Sequence, residues 1–521
     1  MKLTTPRRVQ LLFLALFLVL FVQTEYRGHD EINVAVNAFF RADPLVLFSW
    51  LLAARSWTWL LVPALLMTVA TLLLGRFFCG WLCPLGTILD LVTSRIRKTV
   101  PIALLKGNLK YWLLVPILSA SLFNLNLAGL LDPIAILLRG MTFFLHPLLG
   151  LSARDGWVAL YRLIGERRDL LAPAWNLLQS QLLPFRDTIY PLAFLSALML
   201  LGIIFLERYE RRNWCRNLCP LGTLLGWLGR FSPFRRLPAG LCADCGQCRE
   251  LCPTTFDRGT LVREECILCM ECQLGCPHRR ISFRPETRFR GAGPLVPERR
   301  VLLGGMAAGL LLAVPARFQQ PERQARLLRP PGVRDEEEFL KRCVRCGECM
   351  KVCLKNALYP VAFQAGIERL YTPLVIPRLG YCEYNCTLCG QVCPSGAIPC
   401  LPVEAKQREV IGKAVFDRNH CLPFARKTDC IVCEEHCPIP SKAIRSREVE
   451  VAGPDGSRRR VKEPYVVEEI CNGCGICENV CPLESRAGIQ VFAVKNRTPM
   501  MEAREAAPRT EQSGETGLRY Q

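Results

Sequence analysis

The chain has 521 residues, half of them hydrophobic and 21% charged, with 29 cysteines, 5 histidines and a formal net charge of +20. Its length excludes one small domain, its clustered cysteines exclude a secreted disulfide scaffold, and its charged fraction excludes a chain wholly embedded in lipid. Twenty-four of the cysteines fall in six groups of four; if each group holds a [4Fe-4S] cluster of about −2, the excess drops to about +8 and nucleic-acid binding loses its support too.

Lys2, Arg7 and Arg8 precede the apolar run VQLLFLALFLVLFV, which no small-residue cleavage site follows. This predicts a membrane anchor with a cytoplasmic N-terminus rather than a removed signal peptide. Three more spans are predicted over 57–78, 111–131 and 190–206. Arg95, Arg97, Lys98 and Lys106 follow the second span, and Arg208, Arg211, Arg212 and Arg216 follow the fourth. Both stretches are therefore expected on the cytoplasmic side, with the loops 24–55 and 132–189 outside. In those loops PLVLFSWLLA and PIAILLRGMTFFLHPLLGL suit helices lying in the membrane interface.

The second and fourth spans each run into one motif, FCGWLCPLGTILD at 78–90 and WCRNLCPLGTLLG at 214–226. Two spans plus a turn thus occur twice, as an internal repeat about an axis along the membrane normal. Proline after the second cysteine puts Cys83 and Cys219 at helix N-termini. The helix dipole, Arg76 and Arg216 there favour thiolate. If the turns meet, Cys79, Cys83, Cys215 and Cys219 converge and can hold an additional iron–sulfur cluster. A redox-active dithiol pair, a transient metal site and a structural role are the alternatives.

From about 230 the chain is soluble in character. CADCGQCRELCP supplies Cys242, Cys245, Cys248 and Cys252, and CILCMECQLGCP supplies Cys266, Cys269, Cys272 and Cys276. Spacings of two, two and three residues wrap a [4Fe-4S] cube, with the fourth cysteine reaching the neighbouring cluster. Cys242, Cys245, Cys248 and Cys276 are then expected on one cluster, and Cys266, Cys269, Cys272 and Cys252 on the other. Zinc sites do not use such a run. The segment PERRVLLGGMAAGLLLAVPARFQQ follows, and its arginine pair resembles a twin-arginine export signal buried inside a chain. We expect it to form an anchor or a fifth crossing.

Four further groups come next: Cys343, Cys346, Cys349 and Cys353; Cys382, Cys386, Cys389 and Cys393; Cys421, Cys430, Cys433 and Cys437; and Cys471, Cys474, Cys477 and Cys481. The expected sharing of fourth cysteines is first group with fourth and second with third. Cys400 is left over and reads as a small buried hydrophobe. Residues 499–521 are polar and predicted to be disordered.

The predicted fold class is a membrane α-helical module of four helices with an internal repeat and a fifth crossing, joined to two ferredoxin-like α+β iron–sulfur domains. The domain limits are 1–229, 230–296, 297–320 and 321–498, then the tail. No CxxCH, Walker loop or dinucleotide-binding glycine pattern is present, so six [4Fe-4S] clusters point to single-electron transfer.

The two CxxxCP turns followed by two ferredoxin motifs resemble the NapH/MauN family of membrane ferredoxin-type proteins, to which the membrane module of NosR is related. No covalent-flavin motif of the NosR kind is seen. The block from 297, with its arginine pair and four cysteine groups, resembles the NapG/MauM family of exported ferredoxin-type proteins. The resemblance implies a fusion of two partners in the cytoplasmic membrane, with the C-terminal polyferredoxin extracytoplasmic. It also implies oxidation of quinol from the membrane quinone pool and delivery of electrons to an extracytoplasmic redox partner, in the best-known case a periplasmic nitrate reductase. The alternative is a metalloenzyme assembly or maturation factor whose CxxxCP thiols handle a metal. Quinol oxidation requires a proton acceptor near an apolar pocket. Asp132, Arg139 and His146 at the outer end of the third span are the candidates, with His29 and Asp30 after the first.

Overall fold

The computed structural model describes residues 5–28, 30–32, 34–93, 109–164, 172–181, 183–184, 188–238, 245–254, 256–257, 260–261, 265–286, 299–313, 327–452 and 458–494. Cys242, His29, the basic residues Arg95 to Lys106 and the 499–521 tail lie outside them. The chain divides into two compact units, one of Met1–Glu25, Asn33–Arg317 and Leu340–Gly347, the other of Tyr26–Ile32, Phe318–Phe339 and Glu348–Gln521.

The first unit is helical. Thr5–Gln23 is long and apolar enough to cross a membrane. The other three expected spans appear as the helices Val62–Leu74, Leu109–Leu122 and Ala193–Leu206, of 13, 14 and 14 residues. Each is about 20 Å long at 1.5 Å per residue, short of the roughly 30 Å hydrocarbon core. Gly75 at φ +82° stops the first and Asn124 at φ +67° follows the second, so backbone stops override the apolar runs. The second helix of spanning length is Pro133–Leu163, 31 residues. It occupies the stretch expected to lie in the interface, because a π-helical turn over Gly140–Leu145 carries the helix on without a break.

Two shorter helices in the expected outer loops begin alike. Asp43 caps Pro44–Ala54 and Asp132 caps Pro133–Arg139, each with proline in the first turn. The expected anchor forms the 15-residue helix Arg299–Ala313, which packs along Leu109–Leu122. Its Gly304, Gly305 and Gly309 face Trp112, Val115 and Ser119, and Ser119 Oγ donates to the Met306 carbonyl at 3.1 Å. Leu12, Leu66, Leu73, Phe194, Phe205, Leu303 and Leu311 project outward from four of these helices. The first ferredoxin-type region completes the unit, its strand Phe234–Pro238 paired antiparallel with Ile281–Pro285.

The second unit is built from short helices and two-stranded antiparallel ladders. Leu358–Pro360 pairs with Pro373–Val375, Lys413–Phe416 with Ile489–Phe492, and Ile444–Ala452 with Arg458–Val466. Gly473, at φ +72°, lies so close to the Gly412 backbone that a Cβ would overlap it. Tyr26–Ile32 is held there by Gln391, which accepts from the Ile32 N–H at 3.0 Å and donates to the Asp30 carbonyl at 2.8 Å.

Candidate functional site

The two CPLGT turns share one construction. A short helix carries the first cysteine, Cys79 in Phe77–Trp81 and Cys215 in Asn213–Asn217, and the second cysteine opens a longer helix. Cys83 Sγ accepts the Gly86 N–H at 3.5 Å and Cys219 Sγ the Gly222 N–H at 3.2 Å, which satisfies a donor at each helix start. A buried arginine from each half crosses to the other. Arg76 Nη2 donates to the Cys215 carbonyl and Arg212 Nη1 to the Cys79 carbonyl, both at 2.7 Å. Each CPLG glycine sits under the opposite arginine: a Cβ on Gly222 would overlap Arg76 Nη2, and one on Gly86 would stand 3.4 Å from Arg212 Nη2. The repeat therefore closes on itself, and Cys79, Cys83, Cys215 and Cys219 share one buried core.

Arg212 also grips Asp90 at 2.8 and 2.7 Å, and Arg76 Nε donates to Cys79 Sγ at 3.5 Å. Arg216, expected beside a thiolate, pairs with Glu210 at 2.6 Å instead. Burial pushes the Cys83 and Cys219 thiols up and Cys215 to about 12, outweighing the helix N–H groups and the arginines that draw them down. The expected thiolate preference is thus reversed in the turns themselves, and it is a bound metal or cluster that would ionise these sulfurs.

The first ferredoxin-type region packs on the turns. Glu265, next to Cys266, bridges Arg76 and Lys110. Trp81 Nε1 donates to the Leu268 carbonyl at 3.0 Å, and Arg7 and Arg211 both pair with Glu271. Cys269 packs against the core that holds the four CxxxCP thiols. Cys252 acts electrostatically on Cys269 and Cys272, so the last cysteine of the first group stands with the second group.

The second unit lends cysteines in the same way. Cys353 acts on Cys386 and Cys389, Cys481 on Cys421, Cys437 on Cys474, and Cys433 on Cys477. The last cysteine of the first group thus serves the second, and the third and fourth groups exchange theirs. The expected pairing of first with fourth and second with third is overturned. The reason is the ladder connectivity: Leu358–Pro360 with Pro373–Val375 lies between the first two groups, and Lys413–Phe416 with Ile489–Phe492 folds the fourth back onto the third. Cys400, expected to be buried, is exposed.

In five of the six groups a backbone N–H from a few residues downstream donates to the last sulfur. The pairs are Arg280 to Cys276, Ala357 to Cys353, Ile398 to Cys393, Ala443 to Cys437 and Gly488 to Cys481, at 3.2–3.5 Å. Lys413, Lys442 and Arg378 hold the carbonyls of Cys471, Cys437 and Cys481 at 2.7, 2.9 and 3.1 Å. N–H donors and cations at the sulfurs are what an anionic iron–sulfur cluster needs. Among the described residues, no three Cys, His, Asp or Glu side chains converge tightly enough to ligate a single ion.

A 4Fe-4S binding domain family matches this chain twice, over 56–103 and 190–238, so each match contains one CxxxCP turn. A second family, also described as a 4Fe-4S binding domain, matches 464–485. The methylamine utilization ferredoxin-type protein MauM of Methylorubrum extorquens is 34% identical over 39% of this chain and 91% of its own length. The ferredoxin-type protein NapG of Escherichia coli is 36% identical over 38% of this chain and 87% of its own. The chain belongs to the NapG/MauM family of ferredoxin-type proteins. MauM of Paracoccus denitrificans, 34% identical over 35% of this chain and 79% of its own, is a further member it resembles. No solved structure matches. Membership in the NapG/MauM family carries iron–sulfur electron transfer with it.

Outside the cysteines, this NapG/MauM-family chain buries two of the residues considered for quinol, while His146 is half-buried and Asp30 is exposed. Asp132 is fully buried and Arg139 is 1% exposed. Arg139 donates to the carbonyls of Gly129 and Leu130 at 2.8 Å and of Arg345 at 3.2 Å. Arg345 lies between Cys343 and Cys346 in the arm Leu340–Gly347 of the first unit, whose Val344 and Cys346 share a core with Ala128 and Ile134. His146 turns elsewhere, with Nε2 3.9 Å from Glu25 Oε2 and its ring against Phe21. Asp43 is a neighbour of Asp132 that sequence reasoning missed: both side chains are buried, and the two carboxyl groups act on each other electrostatically. The signal was present as the repeated Asp-Pro, Asp43-Pro44 and Asp132-Pro133.

Proposed function

We propose that this chain is a membrane electron-transfer component that oxidises quinol and delivers electrons, one at a time, to an extracytoplasmic redox enzyme. In this reading a NapH/MauN-like module is fused to the NapG/MauM-type region. The observation that carries it is the arginine-crossed pair of CxxxCP turns, which gathers four thiols beside Cys269 within one unit. Six ferredoxin-type cysteine groups supply [4Fe-4S] sites, and the family match over both turns favours a seventh there. A one-electron relay is the chemistry such clusters provide. The outward apolar faces of four helices in the first unit suit lipid. Tyr26–Ile32, which follows the first anchor and is expected outside, belongs to the second unit, and this favours an extracytoplasmic polyferredoxin.

Iron analysis and quinol-driven reduction of the purified protein test the reading together. Six clusters give about 24 irons per chain and a seventh four-iron cluster about 28. A reduced quinol analogue should bleach the cluster absorbance on a catalytic timescale. No bleaching, with stoichiometric metal uptake by the CxxxCP thiols, would instead assign a metal-handling maturation factor.

A further inference from the structure

The most unusual polar feature of the first unit is not a cysteine. Asp43 and Asp132 are both 0% exposed, each at the start of a helix that its own carboxylate caps. Asp43 Oδ1 accepts the Leu45 N–H and Asp132 Oδ2 the Ala135 N–H, both at 2.7 Å. Asp43 Oδ2 and Asp132 Oδ1, both buried, have no hydrogen-bond partner. The helix Pro44–Ala54 packs against Ala128–Leu131, the turn that ends at Asp132, so the repeat that closes the CxxxCP turns also brings its two Asp-Pro corners together. Two buried carboxyl groups side by side, each with one oxygen unused, oppose each other's ionisation, and one proton held between the free oxygens would leave the pair with a single negative charge. Arg139 acts on Asp132 and Arg41 lies two residues before Asp43; of the helices packed on these corners, Pro44–Ala54, Val62–Leu74, Ala128–Leu131 and Pro220–Gly229 contribute no ionisable side chain, and Leu109–Leu122 carries Tyr111 and Lys110, which pairs with Glu265.

The same two corners lead into unused hydrogen-bonding groups. Trp50, in the helix that Asp43 caps, is 2% exposed and its Nε1 has no acceptor. Thr142, in the π-helical turn after the helix that Asp132 caps, is 4% exposed and its hydroxyl has no partner. π-Helical turns recur at functional sites. Buried polar groups without partners are costly to a fold unless something else engages them.

We propose that the Asp43–Asp132 pair is the proton acceptor for quinol in the first unit. This rests on the quinol reading above. In the step, a quinol O–H bond breaks, its proton joins the carboxyl pair, and the pair passes from one shared proton to two while quinol becomes the quinolate anion. Atoms and charge balance in this transfer; the quinolate's two electrons then leave one at a time toward the iron–sulfur groups, its remaining O–H proton is released to solvent, and quinone is left. Arg139, which spans the carbonyls of Leu130 and Arg345, is a positioning residue that fixes the pair beside the Cys343–Cys346 arm.

The test uses the full-length protein with Asp43→Asn and Asp132→Asn, since asparagine keeps the helix cap and removes the exchangeable carboxyl proton. Infrared spectra of the resting protein should show a protonated-carboxyl band that shifts in deuterium oxide and vanishes in either variant. Quinol-driven cluster reduction should slow about a hundredfold in both variants, while reduction by dithionite is unchanged. Wild-type quinol rates in both variants, or no carboxyl band of this kind, would overturn the proposal. A wild-type protein that quinol does not reduce overturns the quinol reading itself, and that failure shows in the parent protein rather than in the variants.

Discussion

Arg76 and Arg212 show why a buried guanidinium belongs at a repeat interface. Each presents several N–H groups in one plane, enough to hold a cysteine carbonyl of the opposite half while pairing with a carboxylate, Glu265 or Asp90. Glycine in CPLG follows from that geometry, because the arginine fills the space a Cβ would take. Gly222→Ala, whose Cβ would overlap Arg76 Nη2, should destabilise the first unit by about 1–3 kcal/mol. Gly86→Ala meets its nearest atom, the Cys79 carbonyl, at 3.1 Å and should cost less. Thermal unfolding of the two variants in detergent checks the order; a less stable Gly86→Ala would contradict it. The motif marked these cysteines and glycines in the sequence, but the crossing arginine was misassigned. Arg216 lies nearer the thiols along the chain, and only the folded repeat shows that Arg212 reaches across.

At the scale of elements, short ladders decide which cysteine group serves which neighbour. A fourth cysteine must reach a cluster outside its own loop, and strand pairing sets which loop is close. Cys353→Ala should therefore remove the cluster of Cys382, Cys386 and Cys389 while leaving the one of Cys471, Cys474 and Cys477. Iron content should fall by about four per chain, and electron paramagnetic resonance of the reduced protein should lose one signal. Loss of the signal assigned by Cys474→Ala instead would restore the first-with-fourth pairing. Spacing announced the six groups, yet their partners depended on contacts between residues far apart in sequence, as with Lys413–Phe416 against Ile489–Phe492. The same holds for the helices. Apolar runs located Val62–Leu74, Leu109–Leu122 and Ala193–Leu206, but backbone stops such as Gly75 set their lengths.

For the whole molecule, charge and sidedness are the properties that matter. A formal charge of +20 fits a chain meant to carry several anionic clusters. If the second unit is extracytoplasmic, a phosphatase fused after Gln521 should be active in intact cells, and a cytoplasm-dependent fluorescent reporter at the same place should be dark. The opposite pattern would place the polyferredoxin inside and remove the route to an external acceptor.

The sequence by itself determined the chemistry: cysteine spacing is set by the size of the cluster a loop must wrap, and it survives without knowledge of the fold. It also declared the repeat, through CPLGT and, unnoticed, through Asp-Pro. Tertiary structure alone decided how the two halves of the repeat meet. The crossing arginines and the meeting of Asp43 with Asp132 arise between segments some 90 to 140 residues apart, and the cysteine neighbours between loops some 17 to 60 residues apart. Such contacts leave no local periodicity, because the energy that favours them exists only once both partners are buried together.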